Sequence, residues 1–258
     1  MQYDVIVELV KKAGNFVFDE ELKHSVNMKG EADFVTAVDI RISEFLRKEL
    51  ALLDPSIGFM SEEEKGNVKP IRWILDPVDG TTNLIYDYNM SSVSLALFDG
   101  EKVVFGVIYN PFNKDLFIAE RGKGVTLNGI KLGKAPDREL NRCLIEFGAG
   151  STKKQFVDIS FALAKDIFKE CLDLRRICSS ALAIAYVAAG RLNGYFEKSL
   201  KPWDYAAASL MLEECGAKCG DWSGAPVSYD QPSSFVCGTP KAYAFLLEKV
   251  RSAERKMQ

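Results

Sequence analysis

The pattern of apolar and polar positions divides the chain in two. In the first half, residues 4 to 22 carry apolar positions at helical spacing and predict a helix. Ile42, Phe45, Leu46, Leu50 and Leu53 repeat that spacing, and Asp54-Pro55 ends the second helix. Short strand-like runs follow, at Ile57 to Met60 and Ile71 to Leu75. Ser92 to Phe98 and Val103 to Tyr109 are joined by Asp99-Gly100, a hairpin signal. Leu116 to Ala119 and Val125 to Leu127 continue the meander, with Asn128-Gly129 as the next turn. This half therefore predicts two helices and then a mostly antiparallel sheet.

In the second half strands and helices alternate. The strands are expected at Leu144 to Phe147, Leu172 to Ile177, Gly194 to Glu197 and Phe235 to Cys237. The helices are expected at Lys153 to Phe168, Ser180 to Ala189, Asp204 to Cys215 and Pro240 to Val250. Such alternation predicts a second sheet covered by helices. The polar stretch from His24 to Asp33, with Gly30 in it, reads as a charged loop that closes as a lid.

Composition narrows the function classes. A chain of 258 residues with 47% hydrophobic content can bury a large core, in one domain of two lobes at about 1–140 and 141–258. The net charge of -3, from 33 basic and 36 acidic residues, offers no excess for a nucleic-acid partner. The longest apolar run, near Ala181 to Gly190, is too short to span a bilayer, which takes about 20 residues. The N-terminus lacks the pattern of a signal peptide, so the expected location is cytoplasmic, with reduced thiols. A zinc site on Cys215 and Cys219 would need two more ligands, in a chain with one histidine and no C-x-x-C pair, so reduced thiols are expected there. His24 stands far from every motif and is expected at the surface or in the lid. Acid–base chemistry must then come from carboxylates, hydroxyls and water.

The candidate chemistry lies in Asp76-Pro77-Val78-Asp79-Gly80-Thr81-Thr82-Asn83, directly after an apolar run. Two carboxylates three residues apart repel each other unless a cation lies between them. Oxygen ligands of this kind suit Mg²⁺. The Gly-Thr step offers backbone N–H groups and a hydroxyl to phosphate oxygens. Two further acidic groups follow strand-like segments: Glu62-Glu63-Glu64, and Asp204 in Lys201-Pro202-Trp203-Asp204-Tyr205-Ala206-Ala207-Ala208. Taken singly, the glutamates could form a solvated turn and Asp204 a helix cap. An EF-hand loop fails on spacing, because Val78 takes the third position and Gly80 the fifth. The D-x-D-G-T phosphatase motif fails because its nucleophile would fall on Pro77.

These segments, with Ser61-Glu62-Glu63 before them, resemble the signature regions of the inositol monophosphatase family. The resemblance runs from about Lys29 to Gly220. It implies an α/β (α+β) fold, a layered α-β-α-β-α sandwich, usually dimeric. It implies hydrolysis of a small phosphate monoester, foremost inositol monophosphate, by water activated on two or three Mg²⁺ ions. Carried over by position, Glu62, Asp76 and the carbonyl of Val78 hold one ion, and Asp76, Asp79 and Asp204 a second. Thr81 and Glu62, assisted by Asp39, orient and deprotonate the attacking water. Gly80 and Thr81 bind phosphate. Ser179 and Ser180, in Cys178-Ser179-Ser180-Ala181, face the substrate, Asp79 also binds it, and Glu197 and Asp204 meet its hydroxyls. Lys29 is the lid residue nearest the phosphate.

The chain departs from the family at Ser61, where glycine is common. It also departs at Leu84-Ile85-Tyr86-Asp87-Tyr88-Asn89 and at Cys178-Ser179-Ser180, where Gly-Ser-Ala is commoner. These positions fall beside the substrate rather than the metals. Alternatives within the family are fructose 1,6-bisphosphate, histidinol phosphate and 3'-phosphoadenosine 5'-phosphate. The reading from a different class is a non-catalytic phosphometabolite-binding protein. Against it, every expected metal carboxylate is present.

Overall fold

The computed structural model of the chain describes residues 3–30, 33–64, 69–150 and 154–255, except the side chains of 29, 30 and 33. The expected first helix is broken in two. Helix α1 (Asp4–Gly14) ends where Gly14 lies against the ring of Tyr109, with no room for a side chain. A 3₁₀ turn (Asn15–Phe18) follows, and Asp19 then caps α2 (Glu20–His24) by accepting the N–H groups of Glu21 and Leu22 at 3.1 and 3.2 Å.

The segment expected as a loop from His24 to Asp33 is largely a hairpin. Strand β1 (Val26–Gly30) pairs antiparallel with β2 (Asp33–Thr36). The lid expectation falls mainly on residues 31 and 32 and on the Lys29 side chain, which lie outside the described residues. Helix α3 (Ala37–Leu53) follows at once. Its first turn is fixed by Asp39, whose Oδ2 accepts from the N–H of Thr36 at 2.8 Å.

A seven-stranded sheet forms the first lobe. Its strands are β3 (Gly58–Ser61), β4 (Arg72–Asp79), β5 (Ser92–Phe98), β6 (Val103–Asn110), β7 (Asp115–Glu120), β8 (Gly124–Leu127) and β9 (Ile130–Lys131), in that spatial order. Only β3 and β4 run parallel; every other pair is antiparallel. Between β4 and β5 lies the short helix α4 (Thr81–Ile85).

The second lobe is a five-stranded sheet in the order β11-β10-β12-β14-β13. These strands are β10 (Leu144–Phe147), β11 (Asp173–Arg175), β12 (Gly194–Leu200), β13 (Lys218–Gly220) and β14 (Ser233–Gly238). Three-residue β13 is too short to carry a period and is absent from the sequence expectation. The helices between are α5 (Val157–Phe168), α6 (Ser180–Ala188), α7 (Pro202–Glu214) and α8 (Pro240–Arg255).

Three apolar clusters stack the layers. Ile6, Val10, Ile42 and Leu46 of α1 and α3 pack on Trp73, Leu75 and Phe105 of the large sheet. Helices α6 and α7 fill the space between the sheets, against Ile74, Ala96 and Ile108 on one side and Tyr195 and Phe235 on the other. On the far side of the small sheet, α5 and α8 cover Ile145, Phe196 and Val236 with Leu163, Ile167 and Leu246. The result is the α-β-α-β-α sandwich.

Buried on all sides, α6 and α7 are nearly free of charge, apart from Asp204 at one end and the glutamates at the other. Close approach of α7 depends on Gly106, where a Cβ would stand 2.8 Å from the Ala207 carbonyl oxygen. Among the described residues no helix is long and apolar enough to cross a membrane.

Candidate active site

Strand β4 sets the site by its alternation. Trp73 and Leu75 face the α1/α3 layer, and Ile74 faces α6 and α7. Asp76 continues the Ile74 face, which places its carboxylate between the sheets. Strict alternation would send Asp79 the other way. The register with β5 slips between Asp76 and Asp79, and this bulge holds Pro77, which has no N–H to give the ladder. Both aspartates therefore line one cavity. They belong to the strand itself, not to a loop after it. Gly80 then turns the chain at φ +90°, packed so tightly that a Cβ would come within 3.0 Å of the Met90 carbonyl oxygen.

The cavity, about 280 Å³, lies between the lobes. Glu62, Asp76, Val78, Asp79, Gly80, Thr81, Ser179, Ser180, Glu197 and Asp204 all line it. Asp39 sits one layer behind. Its Oδ1 accepts from the Thr81 hydroxyl at 3.2 Å, and that hydroxyl also lies 3.1 Å from the Val78 carbonyl oxygen. Asp204 comes from the first turn of α7, and its Oδ2 accepts the Lys201 N–H at 2.6 Å. His24 is exposed at the end of α2, with Nδ1 2.8 Å from the Glu20 carbonyl oxygen, and takes no part in the cavity.

Burial and crowding set the electrostatics. Asp76 is pushed well above the usual carboxylate range by burial first, then by the charges of Glu62, Asp79, Asp204 and Asp39. Asp204 is raised by burial, against the Lys201 N–H, with Asp79 and Glu62 adding to the rise. Asp79 is raised by burial but held down by hydrogen bonds from the start of α6. The Ser179 hydroxyl and the N–H groups of Ser180 (2.9 Å) and Ala181 (2.8 Å) all donate to it. Asp39 is raised to about 6 by burial, opposed by Thr36.

The donor set is oxygen throughout, and Asp76 Oδ1 is buried with no hydrogen-bond partner among the described residues. An orphaned, crowded carboxylate oxygen of this kind fits a hard divalent cation. As placed, though, no three His, Cys, Asp or Glu side chains among the described residues converge closely enough to hold a metal. Both oxygens of Asp79 are engaged by Ser179, Ser180 and Ala181 at the start of α6.

A family profile decides what this cavity belongs to: that of the inositol monophosphatase family matches residues 2–255. The chain belongs to the inositol monophosphatase family. It is 34% identical to an inositol-1-monophosphatase of Rhizobium meliloti, over 96% of this chain and 95% of that protein. It is 33% identical to the Nus factor SuhB of Escherichia coli K12, over the same shares of each. A solved IMPase/NADP phosphatase, complexed with Mg²⁺ and phosphate, superposes with a TM-score of 0.86 at 25% identity, covering 95% of this chain and 93% of that one. Like other enzymes of the inositol monophosphatase family, the protein is a phosphoric monoester hydrolase.

The cavity also holds residues that the sequence did not single out. Glu146, on β10, is 1% exposed and lines it. Its Oε1 accepts the Ile177 N–H at 2.7 Å, and its Oε2 has no partner among the described residues. A charged residue inside the apolar run Leu144-Ile145-Glu146-Phe147 is the signal that could have found it. Asn83 belongs to the motif, but the sequence assigns it no role. Its amide donates to the carbonyls of Met90 and Ile177, both at 2.7 Å, and so ties the motif to the turn before α6. That turn carries Cys178 at φ +61°, in the left-handed region. Tyr195 donates its hydroxyl to Glu197, whose Oε1 accepts the Gly150 N–H at 3.0 Å.

Proposed function

We propose that this hydrolase acts with Mg²⁺ on a small phosphate monoester of a polyol or sugar, with inositol monophosphate as the first candidate. The observation that carries the reading is Asp76: a buried carboxylate with an orphaned oxygen, facing a cavity shared with Glu62, Asp79 and Asp204. Glu62, Asp76, the Val78 carbonyl, Asp79 and Asp204 would hold the ions. Bound there, a divalent cation neutralises charge on the phosphate and makes nearby water more acidic.

The protein's own groups do the positioning. Thr81 Oγ1 stands between Asp39 and the Val78 carbonyl, so it can pass a proton from water to Asp39 Oδ1. Raised to about 6, Asp39 is a better proton acceptor than an ordinary aspartate. Backbone N–H groups of Gly80 and Thr81 would meet phosphate oxygens. Ser180, Glu197 and Asp204 would meet the hydroxyls of the alcohol. Phosphoryl transfer asks mainly for such positioning and electrostatic support. The names of the relatives support inositol phosphate as substrate, and the Mg²⁺ complex of one of them supports the metal. The family resemblance also supports a homodimer.

A panel of phosphate esters, assayed for phosphate release with Mg²⁺ and again with excess chelator, tests the proposal. Release from inositol 1-phosphate that stops on chelation is expected. Unchanged release in chelator would refute the metal reading, and no release from any ester would refute the hydrolase.

A further inference from the structure

The proposed function gives Glu146 no work, yet a carboxyl buried in an apolar strand is costly unless its hydrogen bonds offset the loss of water. Its backbone is held on both sides. Strand β10 lies between β11 and β12, with Glu146 opposite Arg175 on one and Tyr195 on the other. From this fixed point the side chain reaches the turn that joins β11 to α6. Its Oε1 accepts the Ile177 N–H at 2.7 Å, and the Cys178 N–H also donates to the carboxyl.

The first lobe holds the same turn. The Asn83 amide donates to the Ile177 carbonyl at 2.7 Å, so Ile177 is bonded by both lobes, through its N–H and through its C=O. Cys178 follows at φ +61°, a conformation that a residue with a Cβ keeps only where its surroundings hold it. The turn also rests on the motif of residues 76–83: a Cβ on Gly80 would stand 3.2 Å from the Cys178 carbonyl oxygen. Directly after the turn, the Ser179 hydroxyl and the N–H groups of Ser180 and Ala181 donate to Asp79. These donors keep their aim only while the turn before them keeps its place.

We propose that Glu146 is a positioning residue for the hydrolysis: by holding the Ile177-Cys178 turn it sets the start of α6, and so the aim of Asp79. The role requires no contact with substrate or ion. It rests on the reading of this cavity as a metal-dependent phosphatase site, but the hold on Asp79 can be measured without turnover.

Two variants separate this role from mere filling of space. Glu146→Gln keeps an acceptor oxygen for the turn, whereas Glu146→Leu keeps the bulk and loses the acceptor. Amide hydrogen exchange at Ser180 and Ala181, in the metal-free protein, reads the donors to Asp79. A buried N–H left without its partner favours local opening by about tenfold to a hundredfold. Glu146→Leu should quicken exchange at both amides by that factor, and Glu146→Gln should stay close to the wild type. In phosphate release from inositol 1-phosphate, Glu146→Leu should need about tenfold more Mg²⁺ for half-saturation, with glutamine again restoring the wild-type value. If leucine does not fold, Glu146→Ala takes its place with the same expectations.

Wild-type exchange at Ser180 and Ala181 in the variant without an acceptor would overturn the proposal. So would exchange quickened equally at Leu210 and Met211 inside α7, which marks a general loss of stability. Faster exchange with turnover and Mg²⁺ requirement both unchanged would break the link to the reaction, and a Glu146→Gln as impaired as Glu146→Leu would break the link to the hydrogen bond. If the wild type hydrolyses no ester, the hydrolase reading has failed, and exchange alone decides whether Glu146 sets the aim of Asp79.

Discussion

Replacing Glu146 with glutamine should stabilise the metal-free protein, and the gain should depend on pH in a set direction. Burial raises this carboxyl from 4.5 to about 8; the Ile177 N–H opposes the rise and the charges of Asp79 and Glu197 add to it. The unfolded chain ionises it near 4.5, so between 4.5 and about 8 the folded state holds the extra proton. Stability from this group is therefore complete below pH 4.5 and is lost as pH rises towards 8. At 1.36 kcal/mol per pH unit the loss is about 3 kcal/mol by pH 7 and approaches about 5 kcal/mol above pH 8. Glutamine keeps an oxygen for the Ile177 N–H and carries no charge, so it escapes the loss. Urea denaturation of both proteins with chelator present, from pH 4.5 to 8, reads the difference. The two should be closest at pH 4.5, with the variant ahead by about 3 kcal/mol at pH 7. A difference that stays constant with pH, or a wild type that gains on the variant as pH rises, would refute the reasoning.

Two further variants probe the site. Thr81→Ala should lower turnover by about 10²–10⁴-fold with the Mg²⁺ requirement little changed, because in the proposed function its hydroxyl moves a proton and holds no ion; a higher Mg²⁺ requirement as the sole defect would contradict that role. Cys178→Gly should relieve about 1–2 kcal/mol of left-handed strain against about 0.5–1 kcal/mol of added chain entropy, a small net gain that calorimetry would read as a melting point raised by about 2–3 °C. A lower melting point would show that the thiol makes contacts worth more than the strain.

Much of the fold could be read from local signals. Asp99-Gly100 and Asn128-Gly129 place two hairpins, and β5, β6, α6 and α7 lie close to where their apolar runs predict them. Where the reading failed, tertiary contact decided the outcome. At the end of α1, Gly14 lies where a side chain would strike Tyr109, and nothing local to residues 4 to 22 announces Tyr109. The hairpin β1–β2 offers only one short alternation, Val26-Asn27-Met28-Lys29, and its apolar members Val26 and Met28 stay exposed.

The site divides the same way. Asp76, Asp79 and Asp204 were legible as a motif, but the bulge that turns Asp79 inward is set by pairing with β5, and the clasp of Ser179 to Ala181 upon it joins residues about a hundred positions apart. Glu146 belongs to no motif. Its meaning comes from an oxygen that has no partner among the described residues and belongs to a residue lining the cavity, which only the assembled lobes reveal.

In the proposed function the Asp76 cluster holds divalent cations and runs the hydrolysis through them. Phosphate release from inositol 1-phosphate as a function of Mg²⁺ concentration, in the wild type and in Asp76→Asn, tests it most directly. The wild type should saturate with Mg²⁺. The variant should show no turnover at any concentration, while its metal-free form, relieved of the crowding by Glu62, Asp79 and Asp204, unfolds at a higher temperature. Wild-type turnover by Asp76→Asn at limiting Mg²⁺ would contradict the account.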